Sequence, residues 1–265
     1  MLSAFTSAFR TPDLRKKLLF TVAMIALYRL GATLPSPGVS YTNVQTCLKA
    51  VNEAGTGGVL NLLNLFSGGA LLRLSVFALG IMPYITASII LQLLTVVIPR
   101  LEQLRKEGQS GQAKITQYTR YLTLGLAVLQ SSAFVALART GQLFGNACDQ
   151  SNPKMQIIPE NTGLPMWLTL SILVLTMTAG TGMVMWFGEL VTDRGVGNGM
   201  SVLIFTSIAA RLPGEGWAIK QSSGVGKFFL VIALVLVIIC LVVFIEQAQR
   251  RIPVQYAKRM IGRRM

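Results

Sequence analysis

The sequence GGVLNLLNLFSGGALLR, residues 57–73, contains a short apolar run, residues 59–66, between two pairs of glycines. As an α-helix, these eight residues would extend about 12 Å, whereas the hydrocarbon core of a bilayer is about 30 Å thick. The run is therefore too short to cross a membrane, although the apolar residues that follow it, 74–98, are numerous enough. This order favours an interfacial helix or a packed re-entrant segment, capped by glycines, in front of a membrane-spanning helix.

The composition is that of an integral membrane protein. Hydrophobic residues make up 52% of the 265 residues, charged residues make up only 13%, and the mean hydropathy is +0.57. The fifth of six apolar segments is short, because residues 200–212 would reach only about 20 Å before Pro213. This segment either continues to Ile219 or is sheltered by other helices. The predicted spans are residues 18–34, 74–98, 121–138, 166–188, 200–219 and 228–245.

The distribution of basic residues predicts the orientation of the chain. With the N-terminus in the cytoplasm, sixteen Lys and Arg residues fall in cytoplasmic segments and seven in external ones, with Arg29 inside the first span. This excess agrees with the positive-inside rule. Five spans precede the external loop 220–227, so a second five-helix unit beginning at Phe228 would be inverted. The sequence therefore divides into residues 1–219, a five-helix repeat, and residues 220–265, a sixth helix with the start of a basic cytoplasmic segment.

The residue types exclude several kinds of chemistry. The chain has no histidine, and its three cysteines lack the close spacing of a metal motif, so we expect no metal site. The glycine-rich segment 193–199 lacks the Gly-x-x-x-x-Gly-Lys-Ser/Thr pattern that cradles phosphates, and no Gly-x-Ser-x-Gly motif occurs. We therefore expect neither an enzyme nor a bound cofactor. Cys47 and Cys148 both fall in predicted external loops, and the sequence leaves open whether they form a disulfide.

Four polar and apolar strings, in matching order and spacing, resemble the bacterial SecY family, whose members are pore subunits of a protein-conducting channel. The similarity begins at about Arg15 and continues to Met265. The resemblance implies an all-α polytopic membrane protein with ten helices in two inverted halves of five. This chain matches the first half and the sixth helix, and helices seven to ten have no counterpart in it. The strings are FSGGALLRLSVFALGIMPYITASIILQLLTVVIP (66–99), KEGQSGQAKITQYTRYLTL (106–124), MWFGELVTDRGVGNGMS (185–201) and EQAQRRIPVQYAKRMIGRR (246–264).

The resemblance assigns a role to the short apolar run. In the family, the first part of the second span folds back into the extracytoplasmic funnel and plugs the resting pore. Glycines on either side permit the backbone conformations that a hinged segment needs. The implied plug residues are Val59, Leu60, Asn61, Leu62, Leu63, Asn64, Leu65 and Phe66, and the implied hinges are Gly57, Gly58, Gly68 and Gly69.

Two pairs of isoleucines, Ile81 with Ile85 and Ile204 with Ile208, are spaced four residues apart, so each pair shares one helix face. From spacing alone, these residues are ordinary packing or lipid-facing side chains. The resemblance implies instead that they form part of a pore ring, which in the family takes two further residues from helices seven and ten. An apolar ring would bind no translocating side chain by hydrogen bonds, and it would disfavour water and ions by dewetting.

Polar residues of the second span and of the basic tail each have two interpretations. Thr86, Ser88, Gln92 and Thr95 either bond to neighbouring helices or line the lateral gate, which in the family lies between helices two and three on one side and seven and eight on the other. The basic tail either anchors the sixth helix to anionic lipid or, as the resemblance implies, docks the ribosome and the SecA motor ATPase. The tail residues are Arg250, Arg251, Lys258, Arg259, Arg263 and Arg264.

The resemblance implies that unfolded secretory polypeptides cross the bacterial plasma membrane through this subunit and that apolar segments leave it into the bilayer. It further implies SecE and SecG as accompanying subunits. A secondary transporter is the alternative, since it would share inverted repeats and a broken helix, but it usually carries an intramembrane ionisable group. An intramembrane protease fits least, because the chain lacks histidine and paired intramembrane aspartates.

Overall fold

The computed structural model describes residues 11–54, 67–144, 155–159 and 165–248. Within these residues the regular elements are helices, and extended pairing is limited to one bridge between Pro35 and Ser75. The chain divides into two compact units, Met1–Leu212 and Pro213–Met265. The helices are α1 (Pro12–Thr33), α2 (Tyr41–Ala54), α3 (Met82–Val97), α4 (Pro99–Lys106), α5 (Gln109–Thr140), α6 (Met166–Arg194), α7 (Gly199–Ala209) and α8 (Leu212–Glu246), with a 3₁₀ turn at Gln142–Phe144.

Several described helices are long and apolar enough to cross a membrane. They are α5, α6 and the Gly224–Glu246 part of α8. Helices α3 and α4 provide a fourth span if the pair, which is bent by 99°, counts as one. The long apolar helices confirm the predicted all-α, multi-pass membrane fold. The division into six spans stays a prediction.

The beginning of the predicted second span is irregular chain rather than helix. Residues 67–81 pass through a series of turns, and α3 begins only at Met82. Leu74 and Gly80 have positive φ values of 46° and 55°, which a continuous right-handed helix does not allow. The prediction of one helix over residues 74–98 is therefore corrected. Hydropathy could not reveal the difference, because Leu74, Phe77 and Leu79 are buried in the protein, where irregular backbone at membrane depth is tolerated.

The predicted fifth span, residues 200–219, is also interrupted. Helix α7 ends at Ala209 and α8 begins at Leu212. Pro213 lacks an amide hydrogen, so it is suited to the first turn of a new helix rather than to the interior of a continuous one. The eleven residues of α7 extend about 16 Å, less than the hydrocarbon core of a bilayer.

Helices α5 and α6 pack side by side through faces that contain many small residues. Residues buried on α5 recur at intervals of about four, which places them on one face. Across the contact, the Ser131 and Thr178 hydroxyls lie 3.3 Å apart. Small side chains let helix backbones approach closely, and this is the usual way in which membrane helices associate. The buried residues of α5 are Gly111, Ile115, Thr119, Thr123, Ala127, Ser131, Val135 and Ala138.

The turn between α6 and α7 fixes where α7 begins. The Thr192 hydroxyl donates to the Gly188 carbonyl oxygen at 2.9 Å and accepts from the Gly199 amide at 2.9 Å. Asn198 caps α7, since its side-chain oxygen accepts from the Met200 amide at 3.1 Å. A side chain at Gly199 would overlap the Gly188 carbonyl oxygen. These contacts hold the short α7 against the end of α6.

The cysteines differ in their state. Cys47, on α2, is buried and disulfide-bonded. Cys148, the partner considered from the sequence, lies outside the described residues. Cys240, on α8, is free and exposed.

Within the second unit, α8 contains a break. Gly224 has φ 80° and ψ 167°, so two helical segments meet there. The segment Gly224–Glu246 contains an 18-residue stretch with a mean hydropathy of 3.7 and includes the predicted sixth span, residues 228–245. On the preceding segment, the Lys220 ammonium lies 4.8 Å from the centre of the Trp217 ring.

Candidate functional site

The structure places the four predicted ring isoleucines on two elements. Ile81 immediately precedes α3 and is buried, with 4% of its surface exposed, and Ile85 is in the first turn of that helix. Ile204 and Ile208 lie on α7 and are half-buried. The first pair therefore lies at the start of α3, and the second pair lies on the short helix α7. Neither pair lies in the middle of a long helix.

One apolar cluster brings three of the four isoleucines together. Ile81 is in its buried centre, and Ile85 and Ile204 pack against it. Ile208 is not part of this cluster. The buried members come from α1, the irregular segment 67–81, α6 and α7. Ile85 adds α3, so five elements meet at this point. The buried members are Tyr28, Phe77, Ile81, Val184, Phe187 and Leu203.

A cavity of about 530 Å³ adjoins the apolar cluster, and its lining mixes polar and charged side chains with apolar ones; it is called the polar cavity below because of its charged groups. Four side chains line the cavity and also pack on the cluster, so they form the boundary between the two: Tyr84, Ile85, Met200 and Ile204. The remaining walls come from α3, the first half of α5, the end of α6 and the start of α7. The other lining residues are Ser88, Ile89, Thr116, Arg120, Glu189, Thr192, Asp193, Asn198 and Ser201.

An ion pair joins α5 to α6 in the cavity wall. Arg120 Nε donates to Glu189 Oε1 at 2.8 Å, and the two side chains are 48% and 21% exposed. Both residues lie just outside the predicted spans 121–138 and 166–188, where the sequence suggested separate cytoplasmic charges. Their pairing was not predicted, because no local pattern relates two residues that are 69 positions apart.

The cavity offers both polar and apolar groups to whatever occupies it. Its lining contains hydroxyl, amide and charged groups beside the aliphatic side chains of three isoleucines and the thioether of Met200. Among the described residues, no group of three or more His, Cys, Asp or Glu side chains is placed to hold a metal ion.

The predicted plug lies largely outside the described residues. This applies to residues 59–66 and to the hinges Gly57 and Gly58. The hinges on the other side, Gly68 and Gly69, have φ values of 67° and 89°, which favour glycine. A side chain at Gly68 would lie within about 3.3 Å of the Ser207 carbonyl oxygen on α7. Gly68 therefore contacts the helix that carries two of the predicted ring residues, and its role as a hinge stays a prediction.

The four polar residues of α3 have different surroundings. The Thr86 and Thr95 hydroxyls donate to carbonyl oxygens of their own helix, at 3.1 and 2.6 Å, rather than to a neighbouring helix. Ser88 lines the polar cavity, and Gln92 is exposed. Thr86 also lines a second, mainly apolar cavity of about 320 Å³ between α5 and the 67–86 region, whose wall includes Gln130. Their part in a lateral gate stays a prediction.

The predicted docking residues of the basic tail, Arg250, Arg251, Lys258, Arg259, Arg263 and Arg264, lie outside the described residues.

Comparison with known proteins identifies the family. Residues 75–265 match the family model SecY. The whole chain is 61% identical to the protein translocase subunit SecY of Streptomyces scabiei and 59% identical to that of Mycobacterium tuberculosis, and it covers 59% and 58% of their lengths. The chain thus spans a little over half the length of these relatives. With a match over most of its residues and a helical multi-pass fold, the chain belongs to the SecY family.

Proposed function

We propose that this chain is part of the central subunit of a protein translocation channel. In this role, unfolded secretory polypeptides cross the bacterial plasma membrane through it, and apolar segments leave it into the bilayer. The relatives' name, protein translocase subunit SecY, supports the proposal. The observation that carries it is that Ile85 and Ile204, from two helices, line the same cavity and pack on the same apolar cluster.

The chemistry of this boundary suits an unselective passage for polypeptides. A translocating chain presents every kind of side chain, so a constriction with fixed charges or directional hydrogen bonds would retain some of them. Isoleucine provides neither. Narrow apolar collars between wet compartments also dewet, which limits the leakage of ions. The neighbouring polar cavity would keep an arriving chain hydrated until it reaches the constriction.

The charges of the cavity favour a channel over the alternative, a secondary transporter. Ion-coupled transporters usually depend on an ionisable group within the membrane that gains and loses its ion or proton. Here Glu189, in the last two turns of α6, is already paired with Arg120 of α5. The pair is therefore better suited to holding two helices together than to coupling.

The proposal includes partners and an orientation. The N-terminus lies in the cytoplasm, and residues 59–66 act as a plug hinged at Gly57, Gly58, Gly68 and Gly69. SecE and SecG accompany the subunit, and the basic residues between Arg250 and Arg264 dock the ribosome and SecA or contact anionic lipid. The chain contains no phosphate-binding motif, so the energy for transport comes from these partners.

Site-directed crosslinking tests the ring assignment. Single cysteines replace Ile81, Ile85, Ile204 or Ile208 in the full-length protein, in a background in which every native cysteine is replaced by serine. A secretory chain that carries a thiol-reactive group is stalled in the channel, and the crosslinked products are counted by gel electrophoresis. Matched controls are Leu93→Cys on α3 and Phe205→Cys on α7, because these side chains are 64% and 70% exposed on the same helices.

The expected result is crosslinking from all four isoleucine positions and little from the two controls. This outcome would place both helices around one polypeptide path. If Ile85→Cys and Ile204→Cys reacted only with lipid-soluble probes, as we expect for the controls, the isoleucines would be packing residues and the proposed path would be refuted.

A further inference from the structure

Tyr28 and Ser207 form a buried hydrogen bond between α1 and α7. The Tyr28 hydroxyl and Ser207 Oγ are 2.7 Å apart, and each residue is only 1% exposed. The two residues are 179 positions apart in the sequence. This bond is thus a specific connection between the first helix and the short helix that carries Ile204 and Ile208.

The direction of the bond follows from the second contact of Ser207. Ser207 Oγ donates its hydrogen to the Leu203 carbonyl oxygen at 2.9 Å. A serine hydroxyl has one hydrogen, so Ser207 accepts from Tyr28. The Tyr28 hydroxyl therefore has a fixed donor role, and its loss would leave the Ser207 oxygen without that donor in a dry site.

Aromatic packing fixes the position of the Tyr28 ring. It stacks on Phe77, with 6.0 Å between ring centres and an angle of 11°, and Phe77 meets Phe187 edge to face. Gly31, one turn after Tyr28, lies directly against the Phe77 ring, where any side chain would overlap it. The packed rings of Phe77 and Phe187 therefore fix the orientation of the Tyr28 ring and, with it, the position of the Tyr28 hydroxyl.

The Tyr28 hydroxyl also lies next to the other element that carries predicted ring residues. A side chain at Gly80 would have its Cβ 3.6 Å from this oxygen, and Gly80 immediately precedes Ile81. Ser207 lies three residues after Ile204 and one residue before Ile208. One hydroxyl group is therefore in contact with α7 and close to the start of α3, between the two pairs of isoleucines.

We propose that Tyr28 is a positioning residue for the pore ring: its hydrogen bond to Ser207 holds α7 at a fixed register and thereby sets where Ile204 and Ile208 lie relative to Ile81 and Ile85, which limits leakage through the resting channel. This inference rests on the proposed function. It concerns a residue of the first helix that does not itself line the path.

Resting leakage of the channel tests this role. Tyr28→Phe, Ser207→Ala and the double variant are made in the full-length protein, purified with its natural partner subunits and reconstituted in liposomes without substrate. Release of a small trapped ion is then measured. Because a hydrogen bond of ordinary net strength changes a two-state equilibrium about fivefold, we expect each single variant to raise the leak by about this factor. The double variant should leak no more than the single ones, because both remove the same bond.

Thr123→Val provides the matched control. Thr123 is fully buried and donates to the Thr119 carbonyl oxygen at 2.7 Å on α5, so its replacement also removes a buried hydroxyl bond, but away from the ring. Thermal unfolding of all variants is recorded beside the leak. A merely structural role for Tyr28 would lower the unfolding temperature without raising the leak above that of Thr123→Val, and this result would overturn the inference.

The crosslinking experiment separates this inference from the proposed function. If the isoleucine positions of the unaltered protein crosslink to the secretory chain but Tyr28→Phe leaves the leak unchanged, the channel stands and the positioning role is wrong. If those positions fail to crosslink, the proposed function itself fails.

Discussion

The ion pair between Arg120 and Glu189 is a contact whose energy can be measured at the scale of single residues. Its atoms are 2.8 Å apart and Glu189 is mostly shielded, but Arg120 is half-exposed, so solvent weakens the attraction. We expect a coupling energy of about 0.5–1 kcal/mol from a double-mutant cycle with Arg120→Gln and Glu189→Gln. The measurement is chemical unfolding of the full-length protein in mixed micelles.

The pair formed by Lys106 and Glu102 is the control for this cycle. It has a similar separation, 2.7 Å, but its side chains are 73% and 49% exposed on a single helix. Its coupling should be smaller than that of Arg120 and Glu189. Equal coupling in the two cycles would mean that the cavity wall gives the partly shielded pair of Arg120 and Glu189 no advantage.

Single residues show what a sequence can and cannot indicate about this site. The isoleucine pairs are visible because a spacing of four places two residues on one helix face. The partners of Arg120 and Tyr28 are not visible, because they depend on how distant helices are aligned, and a shift of one residue would separate them. For Glu189, the sequence showed only that a charged residue follows an apolar run, and this does not indicate which residue pairs with it.

At the scale of elements, Gly180 determines how closely α6 approaches the irregular segment 67–81. A Cβ at this position would overlap the Val76 carbonyl oxygen, which belongs to a backbone that is itself buried. We expect Gly180→Ala to lower the free energy of unfolding by about 1–3 kcal/mol, because the helix must move away or the segment must distort. The unfolding free energy in micelles is the measurement.

Gly182, two residues further along α6, is the matched control. A Cβ there would meet only Leu124 Cδ2, at 3.6 Å, which is an ordinary contact. Gly182→Ala should therefore be neutral or stabilising by about 0.5–1 kcal/mol, since alanine is the better helix former. If Gly182→Ala lost as much stability as Gly180→Ala, the overlap with the Val76 carbonyl oxygen would not be the cause of the loss at Gly180.

The elements also show where a hydropathy pattern is sufficient. Helices α5 and α6 contain their predicted spans, 121–138 and 166–188, and extend beyond them at the polar ends. The pattern misjudged residues 74–81 because burial inside a protein and burial in lipid demand the same apolar side chains. Gly80 and Pro83 were the local signals in the sequence for a break in the helix. Neither residue alone indicates a break, because the positive φ of Gly80 results from the packing of the segment.

At the scale of the whole molecule, the orientation of the chain is a prediction that rests on charge. Sixteen basic residues on one side against seven on the other favour a cytoplasmic N-terminus, because basic loops are retained on the cytoplasmic side. Gln103→Cys on α4 should then react with a membrane-impermeant thiol reagent only from the cytoplasm, and Lys220→Cys only from outside. Intact cells and inverted membrane vesicles that contain the cysteine-free full-length protein provide the two directions of access.

A third position tests whether the reagent labels only cysteines that water can reach on one side of the membrane. Leu175 is 66% exposed near the middle of α6, on a helix apolar enough to cross the membrane, so we expect lipid to cover it. Leu175→Cys should stay unlabelled from both sides and react once detergent dissolves the bilayer. Labelling of Gln103→Cys from outside and of Lys220→Cys from the cytoplasm would reverse the orientation. The polar cavity beside Ile85 and Ile204 would then face the exterior, and a polypeptide arriving from the cytoplasm would meet the apolar cluster first.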